Sequence, residues 1–205
     1  MNKKLIVGSL LTFLLANHWA VANDQVEKAE AAASKAEVLE QKAAVGKHAP
    51  RPLKSETLTK PEVQAVDPAG EEPLDETITC LARTIYWESK GESSASMEAV
   101  ANVVMNRLGN KQFPDTVCGI VKQGSEEGAC QFSWWCDGRP DDVKEDDAYA
   151  AAKEVARKAL NRQLPDRTGG ALFFHQKTVK PDWSAEFRKT AEVGDFHFYK
   201  PAPSP

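Results

Sequence analysis

Leu74, Ile78, Ala82 and Tyr86 recur every four residues, and Leu81 and Ile85 widen the same face. This spacing predicts an amphipathic helix that runs to about Lys90 and is stopped by Gly91. The cluster Ser93-Ser94-Ala95-Ser96 then offers N-caps for a second helix, with Met97, Val100, Val104 and Leu108 as its stripe and Gly109-Asn110 just past its end. Pro114 suits the first turn of a short third helix through Val121, closed by Gly124. Gly128 to Gly138 is dense in Gly, Cys and aromatic residues and reads as a loop or short hairpin. Asp141 to Asn161 starts acidic and ends basic, which predicts a fourth helix aligned with its own dipole, and Pro165 bars continuation. Ala171-Leu172-Phe173-Phe174-His175 and Phe196-His197-Phe198-Tyr199 read as short strands. The expected fold class is α+β, mainly helical, in one domain with little sheet.

Upstream the pattern changes three times. Lys3 and Lys4 precede an apolar run from Leu5 to Ala16, and Ala20-Val21-Ala22 has the small-x-small form of a cleavage site, so residues 1–22 read as a signal peptide. The run is shorter than the roughly 20 residues that span a bilayer, and no second apolar stretch follows, so no stable membrane span is expected after cleavage. Residues 23–47 are rich in Ala, Glu and Lys without a strong apolar face and read as a solvated helical spacer, with a weak coiled-coil contact as the sharper alternative. Residues 48–73 carry Pro50, Pro52, Pro61, Pro68 and Pro73 and read as an extended linker. The folded domain is therefore expected over 74–205, able to fold without the preceding segments, which remain available to an envelope partner.

The formal charge of −4 becomes −6 once Lys3 and Lys4 are removed, and no basic stripe with interleaved aromatics occurs, which argues against nucleic acid as a partner. Cys80, Cys118, Cys130 and Cys136 form an even set in a chain read as exported, to the periplasm or cell envelope, where they are expected to be disulfides. Three connectivities are open. Cys80–Cys118 with Cys130–Cys136 is favoured, the second because five intervening residues can close as a hairpin. The spacing lacks the Cys-x-x-Cys pairs of a thiolate metal site, and neither metal nor cofactor is expected.

The richest stretch is Tyr86-Trp87-Glu88-Ser89-Lys90-Gly91-Glu92, which sets one carboxylate in the last turn of an apolar helix beside two aromatic rings. Such surroundings disfavour the anion and raise the pKa towards the range of a general acid at neutral pH. The segments Leu81 to Glu92, Ala99 to Arg107, Phe113 to Gly119 and Cys130-Gln131-Phe132-Ser133-Trp134 then resemble, in this order, the bacterial cell-wall hydrolase family typified by the spore-cortex-lytic enzymes. Phe174-His175, Val179-x-Pro181-x-Trp183 and Gly194-x-x-His197-x-Tyr199 continue the resemblance to about residue 200. Ser89-Lys90 stands where the family more often has Ala-Arg.

The resemblance implies a lysozyme-like, lytic-transglycosylase-type fold acting on peptidoglycan, with Glu88 at the position of the catalytic glutamate. Tyr86, Gln131, Phe132, Ser133, Trp134, His175 and Tyr199 become candidates for holding sugar rings or N-acetyl groups. Glu92, beyond Gly91, reads as structural or as orienting the cleft, and is grouped with these substrate-binding candidates. Two rivals are weighed. A zinc amidase cutting between sugar and peptide needs three protein ligands, but His18 falls in the signal and His48 in the linker, leaving only His175 and His197 in the domain. A non-catalytic peptidoglycan-binding module would keep the cleft without turnover.

Overall fold

Ten consecutive residues, Thr77 to Tyr86, are buried within the single helix α3 (Thr77–Glu88). A helix apolar on one stripe has a wet side; one buried all round lies inside the domain. The computed structural model describes residues 8–46 and 50–202, and α3 forms their centre. Around it pack α1 (Gly8–Ala44), α4 (Ser94–Leu108), α5 (Val117–Lys122) and α6 (Asp146–Leu160), with the short α2 (Lys60–Ala65) against α1 and α6. No described helix is long and apolar enough to cross a membrane.

Local chemistry sets these boundaries. Glu76 caps α3, its carboxylate accepting from the Thr79 N–H, and Gly91 follows with φ +79°, a conformation that favours glycine. Ser93 caps α4 as expected, and Thr116 caps α5, accepting from the Gly119 N–H. Pro114 is thus outside α5 rather than in its first turn. α6 begins at Asp146, later than expected, because residues 137–144 are drawn off to build a loop described below.

Three antiparallel strands complete the fold, β1 (Phe173–Gln176), β2 (Arg188–Val193) and β3 (Phe196–Lys200), in the order β1-β3-β2. Phe174, Phe196 and Phe198 face α4, against Ala99 and Val103. In register on the other face are Phe173 opposite Tyr199 and His175 opposite His197, beneath Trp183. The strand β2 was not foreseen, since Arg188-Lys189-Thr190-Ala191-Glu192-Val193 lies at a largely exposed edge and lacks apolar alternation.

The expectation of a solvated spacer and an extended linker does not hold. Ala32, Ala36 and Leu39 of α1 are buried, and Glu40 Oε1 accepts the Val117 N–H at 2.6 Å, at the N-terminus of α5 where an acid is favoured. Leu58, Val63 and Val66 join the main core. Asp67, with φ +44°, accepts from the Glu71 and Glu72 N–H groups, the Arg83 guanidinium at 2.9 Å and the Tyr149 hydroxyl at 2.6 Å. The helix α1 runs unbroken across the expected cleavage site. Residues 1–7 and His48 lie outside the described residues.

Candidate active site

Glu88 is the last residue of α3, and its position is fixed from three sides. The Ser89 N–H and hydroxyl both bond back to Ile85 O, closing the helix end. Trp87 Nε1 donates to Asp141 O at 3.1 Å, and Arg83 Nη1 reaches the same carbonyl at 3.5 Å. Val143 N–H donates to Gly70 O at 3.0 Å, where a Cβ on Gly70 would collide with Val143. These bonds hold the 137–144 loop as one wall of an open cleft of about 260 Å³. The loop closed by the Cys130–Cys136 disulfide also lines it, its turn Ser133–Trp135 supplying Ser133 and Trp134. The end of β1 contributes Gln176.

Within this cleft Glu88 is half-buried, yet protein crowds its carboxyl closely enough that burial pushes its pKa up to about 7, against a smaller opposing pull from Arg107. The negative end of the α3 dipole adds to the cost of ionisation there. Asp137 and Asp141 share the cleft, and the Asp141 carboxyl is also raised, by partial burial and then by Asp137. A carboxyl group that stays protonated near neutrality, open to a groove, can donate a proton to a bound oxygen.

The structure brings Glu88, Ser133 and Trp134 together in the cleft and places the other expected residues elsewhere. Tyr86 is buried, its hydroxyl accepting from the Lys144 N–H at 3.2 Å, so it supports the loop from behind. Phe132 is buried against Phe174. Gln131 is exposed, and its N–H bonds to Gln123 O. Glu92 accepts from the Ser96 hydroxyl at 3.1 Å beneath the β2–β3 turn, where a Cβ on Gly194 would strike Ser96. His175 and Tyr199 stack and share a 3.0 Å hydrogen bond on the outer sheet face. The pairs Cys80–Cys118 and Cys130–Cys136 are the favoured connectivity. Among the described residues no group of three His, Cys, Asp or Glu is arranged to hold a metal ion.

Asp137, Arg139, Asp141 and Gln176 were not foreseen as cleft residues. Asp137-Gly138-Arg139-Pro140 carries only a turn signal, and its approach to Glu88 depends on tertiary contacts. A larger cavity, about 850 Å³, lies where α1, α4 and α6 end. Its cations Arg51, Lys111, Arg162 and Lys200 suit the negative ends of three helices, and the strongly raised carboxyl is in the smaller cleft instead.

Comparison with known proteins follows the same segment of chain. The model of the family described as Cell Wall Hydrolase matches residues 91–199, beginning three residues after Glu88. The spore cortex-lytic enzyme of Halalkalibacterium halodurans is 33% identical over 112 residues, covering 53% of this chain and 30% of that protein. That of Bacillus cereus is 29% identical over 126 residues, 60% of this chain and 44% of that protein. The chain thus spans less than half the length of these relatives. The crystal structure of the catalytic domain of the Bacillus cereus SleB protein superposes with a TM-score of 0.50 at 27% identity, over 60% of this chain and 89% of that domain. With more than half of its 205 residues matched by the family model, and the small sheet and helical core in place around the cleft, the chain belongs to the cell wall hydrolase family.

Proposed function

We propose that this protein cleaves peptidoglycan as a lytic transglycosylase, cutting the glycosidic bond between MurNAc and GlcNAc and leaving 1,6-anhydro-MurNAc ends, with Glu88 as acid and then base. The observation that carries the reading is the Glu88 carboxyl at an open cleft, its pKa pushed up to about 7 by burial. Family membership and relatives named as cortex-lytic enzymes support a wall substrate. Hydrolysis through paired carboxylates requires the second one to act at the same sugar; here Asp137 bears on Asp141.

In the proposed reaction the Glu88 carboxyl gives its proton to the glycosidic oxygen as the C1–O bond breaks and GlcNAc leaves as the alcohol. The N-acetyl carbonyl of MurNAc stabilises C1. The C6 hydroxyl then attacks C1, its proton passing to the Glu88 carboxylate, so the enzyme is restored and no water is consumed. Ser133 and Gln176 offer polar groups to sugar hydroxyls, and the partly exposed Trp87 offers a ring face. The location we assign is the cell envelope outside the cytoplasm, where both disulfides persist. A partner reading residues 23–73 would meet the outer face of α1, which exposes Val26 and Val38.

Mass spectrometry of purified sacculi digested by the protein tests this reading. Anhydro ends are expected, and Glu88→Gln should abolish them while leaving the fold intact. Reducing ends would make the protein a hydrolase, released peptides would revive the amidase, and turnover by Glu88→Gln would place the acid elsewhere.

A further inference from the structure

The larger cavity, about 850 Å³, gathers charge of the sign opposite to that of the chain as a whole, which carries a formal −4. Arg51, Lys111, Arg162 and Lys200 line it against one acid, Asp166, whose two carboxylate oxygens are taken up by Thr168 and the Gly170 N–H. The helix ends explain only part of this. The C-termini of α1, α4 and α6 present about half a negative charge each, so together with Asp166 they offset about two and a half of the four cations.

The cations are also free to act on a ligand. Arg51 and Lys111 are exposed, and among the described residues neither side chain has a hydrogen-bond or ion-pair partner. Lys200 donates to Gly169 O at 3.2 Å, which uses only part of the donor capacity of an ammonium group. Arg162 follows the C-cap of α6 at φ +56°, where glycine would cost less, and extends Nη1 to Pro50 O at 3.2 Å. Amide donors join them. Asn102 and Asn110 each accept a backbone N–H through Oδ1, from Arg167 at 2.9 Å and from Gln112 at 3.0 Å, and among the described residues neither Nδ2 has a partner.

We propose that this cavity binds the acidic stem peptide of peptidoglycan, Arg51 and Lys111 taking its carboxylates and the asparagine amides its carbonyl oxygens. The identity of the ligand rests on the wall-substrate reading above. Position favours a peptide over a phosphate polymer. Leu172, just before β1, lines the cavity, and Gln176, at the end of β1, lines the Glu88 cleft. Four residues of strand cover about 13 Å, the reach of about four residues of extended peptide, and the stem hangs from the MurNAc that the cleft would hold. Phe113, two residues past Lys111, packs against Phe173 with ring centroids 6.0 Å apart, and both rings are partly exposed, giving the apolar side chains of a stem a surface beside the strand.

The test is a calorimetric and NMR titration of the wild type with the free tripeptide alanyl-γ-glutamyl-diaminopimelate. Amide shifts should centre on residues 102–111 and 169–172. Affinity should fall about tenfold in the Arg51→Ala/Lys111→Ala double variant, and similarly when the carboxylates of the peptide are converted to amides. Shifts centred on Ser133 and Gln176, equal affinity in the double variant, or no binding by the wild type would each overturn the proposal. Should the double variant not fold, the amidated peptide on the wild type supplies the same comparison. Inorganic phosphate is the second probe: phosphate that moves these amides while the peptide does not would make this a site for another anion and overturn the peptide assignment. The peptide is bound and not cleaved, so a protein that binds it yet leaves sacculi intact would lose the transglycosylase reading and keep this one. Cleavage of sacculi without peptide binding would do the reverse.

Discussion

A carboxyl group whose folded pKa stands above its unfolded value works against the fold once it ionises. For Glu88 the sign is fixed by burial: full stability is present below the ordinary pKa of 4.5 and is lost as pH rises through about 7. Glu88→Gln removes that penalty, so the variant should be the more stable protein at pH 8, by at most about 3 kcal/mol given the partial exposure of the residue. The advantage should vanish at pH 4, and paired thermal melts at the two pH values read it directly. With Glu88 as the proposed acid, turnover uses the protonated form, so the rate should fall through half-maximum near pH 7 on the alkaline side. A rate flat from pH 5 to 9 would mean that the step limiting turnover does not involve this proton.

At the scale of elements the two disulfides have separate duties. Cys80–Cys118 ties the central α3 to α5, whereas Cys130–Cys136 closes the short loop that presents Ser133 and Trp134 to the cleft. Replacing the first pair with serine should cost about 2–5 kcal/mol of stability, measured by denaturant unfolding. Replacing the second should lower activity on sacculi several-fold with a much smaller change in melting temperature. The elements that could be read from sequence were those with large apolar residues at regular spacing, α3 and α4, and the capping serine and glycine that bound them. The packing of α1 could not, because its buried face is largely Ala32 and Ala36, small side chains that permit close approach without writing a hydrophobic stripe. Leu58, Val63 and Val66 were hidden among prolines that read as linker. In the site, Glu88 was legible from its immediate neighbours. Asp141 and Gln176 were not, since each meets the cleft through contacts distant in the chain.

On the scale of the whole molecule, the segment before Leu74 belongs to the folded unit. Removing Asp67 leaves Arg83, 2% exposed, as an uncompensated buried charge, a loss of about 3–5 kcal/mol. A chain beginning at Leu74 should therefore melt far below one beginning at Asn23, or fail to accumulate as soluble protein, and Asp67→Ala in the longer chain should reproduce much of the loss. Equal melting temperatures for the two lengths would return residues 23–73 to the status of a tether. The bonds from Val143 to Gly70 O and from Arg83 to both Glu72 O and the Asp141 carbonyl have a further consequence for how such proteins can be recombined. One wall of the cleft is scaffolded by residues that lie upstream of the stretch shared with the family. A chimera that transplants only residues 91–199 would carry the loop facing Glu88 without the turn that shapes it, and would inherit the recipient's groove; a graft that begins before Asp67 should bring its substrate preference along.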